Sequence, residues 1–267
     1  MNWIIGAVCA LIVTVFSYFY RFLTSGGAVA AFFMGWLIFS LGKMTFSVPI
    51  LAFFVSSSLL SKAGKSKKDV LSGYVQKGSR RDARQVLANG LIPTILLLLW
   101  HQSQNSTFAA LYFVSLASAT SDTWATEIGL LSKRSPRSLL HFKEVPKGAS
   151  GGVTLLGLSG ALAGALMIAS TVVLSDFSTP SLDVSYKVIL IITTSGLIAQ
   201  TVDSLLGVSF QVKYCCPRCG ETIERQTHCT HVKAVRESGW PWLDNDMVNL
   251  LSILGGVVFG WIGLEIF

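Results

Sequence analysis

Two carboxylates stand among small hydroxyl residues in Ser118-Ala119-Thr120-Ser121-Asp122-Thr123-Trp124-Ala125-Thr126-Glu127-Ile128-Gly129, at the end of an apolar segment. An ionised side chain at membrane depth costs at least about 2.5–3.5 kcal/mol on insertion scales, so one retained there marks a function. Hard Mg2+ takes one or two carboxylates together with phosphate oxygens, which makes metal-assisted phosphate chemistry the first candidate. On a helix, Ser115, Ser118 or Ala119, Asp122 and Thr126 share one face. Glu127 lies roughly 140° around from Asp122 at 3.6 residues per turn. The two acids therefore share a site only if the helix unwinds, or else Glu127 meets a different partner.

Other polar groups could join them. Lys143-Glu144-Val145-Pro146-Lys147-Gly148-Ala149-Ser150-Gly151-Gly152-Val153-Thr154 runs into the next apolar segment. Gly148, Gly151 and Gly152 permit close backbone approach, Ser150 is placed to cap a helix, and Lys147 adds a point charge. This resembles a phosphate cradle in its physics, without the residue order of a P-loop. Gln200, Asp203, Gly207 and Gln211 recur on one helix face, and Asp203 falls at a depth similar to Asp122. Asp246 and Asn249 form an i, i+3 pair, although Asn245 or Asp246 could equally be a plain cap. Arg84, Gln85 and Asn89 supply a cation and amides at the same level; Asn89 could equally bond a neighbouring backbone.

A last set is metal-like. Tyr214-Cys215-Cys216-Pro217-Arg218-Cys219-Gly220 is followed by His228-Cys229-Thr230-His231. The C-P-x-C-G turn presents two thiolates to one ion, and Cys229 with His228 or His231 completes a tetrahedral Zn2+ set. Four protein ligands make a closed, structural site, so this one holds a loop. Cys9 sits in an apolar run and reads as a small apolar residue.

Elements that would position these groups follow from composition. The 267 residues are 51% hydrophobic and 13% charged, against about 25% charged in an average soluble domain. The deficit runs through the whole chain, which predicts an all-α, polytopic helix bundle occupying 1–267 as one integral-membrane domain, with 209–246 as a Cys/His insertion. Apolar runs predict about eight helices, near 3–21, 27–42, 47–61, 86–101, 107–130, 152–174, 187–208 and 247–265. The first has no preceding Lys or Arg and is expected to be a retained helix, not a cleaved signal.

Threaded with both termini outside, every Lys and Arg except Lys43 and Lys187 falls in a loop on the cytoplasmic side. The long polar loops 62–85, 131–151 and 209–246 then share that side. The net charge of +7 is thereby explained by membrane topology and anionic headgroups, with no need of nucleic acid. The expected location is the cell membrane, with chemistry at its cytoplasmic face.

The motifs also carry a resemblance. Thr24-Ser25-Gly26-Gly27, Gln85-Val86-Leu87-Ala88-Asn89-Gly90, Ser121 to Glu127, Lys147 to Thr154, Asp203-Ser204-Leu205-Leu206-Gly207 and Asn245-Asp246-Met247-Val248-Asn249 resemble, in order, the integral-membrane "domain of unknown function 92" family. That family includes animal transmembrane protein 19 and a plant plastid phytyl-phosphate kinase. Two positions depart from it: Ala149 stands where Thr is expected, and Ser150 where Asn is expected. The resemblance implies phosphoryl transfer from a nucleoside triphosphate, CTP being a candidate, to a prenyl or phytyl monophosphate. Asp122, Asp203 and Asp246 would then hold Mg2+, with Glu127 and Lys147 at the reacting groups. Gly148, Ser150, Gly151, Gly152 and Thr154 would bind phosphate, and Arg84, Gln85, Asn89, Asn245 and Asn249 would give polar support. A lipid cytidylyltransferase, a small-solute or lipid transporter and a zinc-stapled scaffold are the competing expectations; oligomeric state is open.

Overall fold

The structure, a computed structural model, describes residues 3–64, 80–175 and 185–266. Lys65, Lys67, Lys68 and Lys77 of the polar loop 62–85 lie outside the described residues. Eight helices occur among those described: α1 (Trp3–Phe19), α2 (Ser25–Leu41), α3 (Lys43–Ala63), α4 (Ala83–Ser103), α5 (Ser106–Gly129), α6 (Leu155–Ser175), α7 (Tyr186–Ser209) and α8 (Asn245–Ile266). Five of them (α3, α4, α6, α7 and α8) are long and apolar enough to cross a membrane. At 17 residues each, α1 and α2 reach about 26 Å at 1.5 Å per residue, close to the roughly 30 Å hydrocarbon core. Ile4, Ile5, Leu11, Ile12 and Phe16 of α1 are exposed, an arrangement that lipid satisfies and water does not.

The helix α5 is the hub. It packs against α3, α4, α6, α7 and α8, and every residue from Ala109 to Ser121 is buried. Its run of Ala and Ser lets neighbours approach closely, as membrane helix interfaces require. The hydroxyls are satisfied by backbone: Ser115 donates to Tyr112 O at 2.6 Å, Ser118 to Val114 O at 2.9 Å, Thr120 to Leu116 O at 2.6 Å, and Ser121 across to Ala161 O of α6 at 2.9 Å. So many hydroxyls dilute the hydropathy of α5, although it is the most enclosed helix of the bundle. At the end where α5 begins, Phe46, Trp100, Tyr112 and Phe113 form an aromatic cluster, and the Tyr112 hydroxyl donates to Phe46 O at 2.6 Å.

On α6, Gly160 meets the α5 backbone: a Cβ there would stand 2.8 Å from Trp124 O and 3.0 Å from Ile128 Cβ. Gly160→Leu should therefore cost roughly 1–3 kcal/mol by overpacking, read as a lower midpoint in a detergent-denaturation series. An unchanged midpoint would refute this contact.

Short strands supplement the helices. β1 (Arg137–Ser138) pairs antiparallel with β2 (Gly152–Val153). In the 209–246 insertion, β3 (Lys213–Cys215) lies between β4 (Thr222–Ile223) and β7 (Val235–Ser238), while β5 (Thr227–His228) pairs β6 (Val232–Lys233). An all-α expectation omits them because two to four residues are too few to reveal an alternating pattern. The residues 152–154, expected inside the sixth helix, belong to β2 and the turn after it.

Candidate functional site: an acidic cleft beneath the helix ends

The C-terminal ends of α5 and α7 and the N-terminal ends of α6 and α8 converge. Between them is a cleft of about 160 Å³, bounded by Asp122, Thr126, Gln200, Asp203, Gln211, Glu224, Asn245 and the loop from Lys147 to Thr154. Asp122 of α5 and Asp203 of α7 meet with their carboxyl groups within hydrogen-bond reach. Two carboxylates in contact repel unless a proton or a cation sits between them. Asp203 is also within hydrogen-bond reach of Ser252 of α8. In the amide orientation that satisfies its surroundings, Asn249 donates to Asp203 Oδ2 and to Asn245 O, both at 3.2 Å. Gln200 donates to Ser204 Oγ at 3.0 Å, stiffening the α7 wall.

The glycine-rich loop docks on α7 through Gly151, whose φ is +73° and whose Cβ, if present, would lie 2.5 Å from Ser204 O. Within the loop, Ala149 N–H donates to Pro146 O and Gly152 N–H to Ala149 O, each at 3.1 Å. Among the described residues the N–H groups of Gly148, Ser150 and Gly151, which border the cleft, form no hydrogen bond. Ser150 is not the cap expected of it: Thr154 Oγ1 accepts from Gly157 N at 2.9 Å and caps α6, while Ser150 donates to Glu224. The reason is that β2 takes Gly152 and Val153 and delays the helix to Leu155. The α6 N-terminus therefore opens beside the cleft, where helix N–H groups favour an anion. Lys147 borders the same space, its amine donating to Ser132 O at 2.7 Å. Gln211 is 3% exposed, and among the described residues its amide nitrogen has no hydrogen-bond partner. A buried donor without an acceptor costs about 1–3 kcal/mol, and a ligand oxygen in this cleft would relieve it.

Several expected members are placed elsewhere. Glu127 faces away from Asp122 because α5 stays helical through Gly129; it accepts from Ser61 of α3 and influences Arg81 electrostatically. Asp246 does not border the cleft. It turns toward Arg84 (3.7 Å), which also pairs Asp244 at 2.7 Å, and Asp244 is the α8 cap, accepting from Met247 N at 3.2 Å. The expected triad of Asp122, Asp203 and Asp246 is thus corrected to a pair. Gln85 and Asn89 are also apart from the cleft: Gln85 completes a capping box with Asp82, and Asn89 donates to Gln85 O at 2.9 Å. Both instead line a second, apolar cavity of about 90 Å³ among α1 to α4. The guanidinium of Arg81 borders that cavity, over the rings of Phe53 (5.3 Å) and Phe54 (5.8 Å).

Glu224 was missed. It lies in the Cys/His insertion, and nothing in its local sequence says that the insertion folds back over the cleft. Beside it, Cys216, Cys219, His228 and Cys229 place one ligand atom each within 4.8 Å of one another, a set that could hold a metal ion. His228 Nδ1 is 3.3 Å from both Cys219 Sγ and Cys229 Sγ, so His228, and not His231, is the histidine of the set. Burial pushes the Cys216 thiol up, but the backbone N–H groups of Cys219 and Arg218 and the His228 ring outweigh it and bring it down to about 6, toward the thiolate that binds metal.

Comparison with known proteins agrees with this architecture. The family model described as "Integral membrane protein DUF92" matches residues 8–257. Protein PGR of Arabidopsis thaliana is 31% identical over 270 residues, spanning 94% of this chain and 92% of that protein. Uncharacterized membrane protein MJ0933 of Methanocaldococcus jannaschii is 31% identical over 195 residues, 72% of this chain and 76% of its own length. Protein VTE6, chloroplastic, of Arabidopsis thaliana is 25% identical over 243 residues, 88% of this chain but 64% of that protein. No solved structure matches. Membrane-length helices, a cleft built from the motif residues and a match across nearly the whole chain lead to one conclusion: this is an integral membrane protein and belongs to the DUF92 family.

Proposed function

We propose that the protein is a membrane-embedded phosphotransferase that moves the γ-phosphoryl group of a nucleoside triphosphate, with CTP as candidate, onto a prenyl- or phytyl-type lipid monophosphate at the cytoplasmic face of the cell membrane. The observation that carries this is the contact of Asp122 with Asp203 in a cleft that also offers loop amides, a helix N-terminus and the unpaired Gln211 donor. Carboxylates for a cation and N–H groups for anions, side by side, suit a metal-bound polyphosphate.

The donor set fits Mg2+: Asp122 and Asp203 would hold it, and when bound it supplies charge neutralisation at the phosphate oxygens. The N–H groups of Gly148, Ser150 and Gly151, with the Lys147 ammonium, bind and orient the transferred group. An acceptor phosphate oxygen forms the new P–O bond, the bond to the β-phosphate bridging oxygen breaks, and the nucleoside diphosphate departs with that electron pair. The acceptor is already an anion, so no strong general base is required, and positioning with electrostatics carries the rate. An amphiphilic acceptor suits the cleft wall, because Leu158, which borders the cleft, begins an exposed apolar stripe continued by Leu162 and Leu166. Family resemblance to a phytyl-phosphate kinase supports the same substrate class. The Cys216, Cys219, His228 and Cys229 set is assigned to structural Zn2+.

Transport has less support. The opposite helix ends are closed by Phe46, Trp100, Tyr112 and Phe113, where a translocation path would need polar lining. Purified protein with Mg2+, labelled CTP and phytyl, farnesyl or geranylgeranyl monophosphate tests the proposal. Label from the γ-phosphate in the lipid product is the expected result. Label from the α-phosphate would make it a cytidylyltransferase, and movement of lipid without nucleotide consumption would make it a transporter.

A further inference from the structure

We infer that the Cys/His insertion is a metal-held clasp: a Zn2+-type ion at Cys216, Cys219, His228 and Cys229 fixes the segment between them and so delivers Glu224 into the cleft as its third carboxylate. This rests on reading the cleft as the seat of a divalent cation. The cluster has the size that a tetrahedral ion needs. Metal–ligand bonds of about 2.0–2.3 Å imply ligand–ligand edges of roughly 3.3–3.8 Å, and the two S···N separations are 3.3 Å.

The connectivity makes the coupling. Cys216 and Cys219 precede Glu224, and His228 and Cys229 follow it, so both ends of one short segment are tied to the same point. Within that segment β4 pairs β3, burying Ile223 at 2% exposure, and the next residue is Glu224. Its carboxylate accepts from Ser150, borders the cleft with Asp122 and Asp203, and acts electrostatically on Asp203.

The foot of the insertion stands without metal. Val212 N donates to Leu243 O and Trp240 N to Phe210 O, each at 2.9 Å, and Trp240 packs on Phe210 and Trp242. The tip meets the loop of the cleft through the Ser150–Glu224 hydrogen bond. It consists of strands of two to four residues, and ribbons of that size are marginal in water on their own. A structural metal is the ordinary remedy for so small a fold. Three carboxylates from three separate parts of the chain then face one space, two fixed by helices and the third by the ion.

The full-length protein in lipid nanodiscs tests this, with Mn2+ alone as the probe of the cleft, read by the loss of its free electron-paramagnetic signal. Elemental analysis should find about one zinc per chain. Cys219→Ser should lose the zinc and weaken Mn2+ binding about 10-fold, whereas Cys215→Ser, outside the cluster, should keep both. Glu224→Gln should keep the zinc and weaken Mn2+ binding by the same factor. Combining Cys219→Ser with Glu224→Gln should then weaken it no further, because both act through one carboxylate. Should Cys219→Ser fail to fold, stripping zinc from the wild type with a soft chelator gives the same comparison. Zinc-free protein with unchanged Mn2+ affinity would overturn the clasp, as would wild type free of transition metal or additive losses in the double variant. Intact coupling of zinc to Mn2+ binding with no phosphoryl transfer would support the clasp and overturn only the kinase proposal.

Discussion

Asp203→Asn should lower phosphoryl transfer by on the order of 10³-fold in a protein that remains folded and monodisperse. Asn keeps the size of Asp203 and can still bond Ser252 and Asn249, so the local packing survives. What it removes is one of the two charges that meet between α5 and α7, and with it the larger part of the site's attraction for Mg2+. Relief of carboxylate repulsion predicts an unchanged or higher melting temperature without metal. The wild type should gain stability as Mg2+ is added, in proportion to RT ln(1 + [L]/Kd), and the variant should not. Asp122→Asn should behave alike. Asp246→Asn is the informative contrast: grouped with the other two by sequence motif, it sits with Arg84 outside the cleft, and it should cost about 10-fold or less. Turnover of Asp203→Asn within tenfold of wild type would sink the assignment.

Gly151→Ala should damage stability and activity together. The position has φ +73°, which an L side chain rarely adopts, and the added Cβ would lie 2.5 Å from Ser204 O, 2.7 Å from Val208 Cβ and 2.8 Å from Val208 N. Two of these atoms are α7 backbone and cannot swing aside. The loop must therefore lift off the helix that carries Asp203, which separates its amides from the carboxylate pair. A loss of roughly 2–4 kcal/mol is expected for a clash of this kind combined with backbone strain. It would be read as a lower detergent-denaturation midpoint, accompanied by loss of transfer below detection. Gly207 approaches the same contact from the other side, a Cβ there standing 3.1 Å from Gly151 N. Gly207→Ala should reproduce the defect in weaker form. A Gly151→Ala protein with wild-type stability would show that the loop does not rest on α7.

Much of the architecture was legible in the sequence, and the reason is the bilayer. A hydrocarbon core of fixed thickness forces apolar runs of fixed length; the eight expected helices accordingly fall within about four residues of those observed. Depth was legible too. Asp122 and Asp203 stand near the trailing ends of α5 and α7, so antiparallel connection through α6 brings them to one level, and they touch. Helical pitch left two outcomes open for Glu127; α5 stays helical, and Ser61 is among the partners Glu127 finds.

Rotation of a helix about its own axis and the path of a non-helical loop were not legible, because neither is encoded in the spacing of apolar residues. The start of α8 offers Asp244, Asn245 and Asp246 in succession. Packing against α7 turns Asn245 and Asn249 toward the cleft and leaves Asp246 to Arg84. The hairpin of β1 with β2 moves the α6 cap from Ser150 to Thr154, and the insertion brings Glu224 back over a site far from it in sequence. Sequence by itself determined that carboxylates and glycines gather at one membrane level, since insertion energetics act residue by residue. Only the tertiary structure decided which acids share a cleft, since that depends on side-chain packing between elements whose mutual orientation no local pattern records.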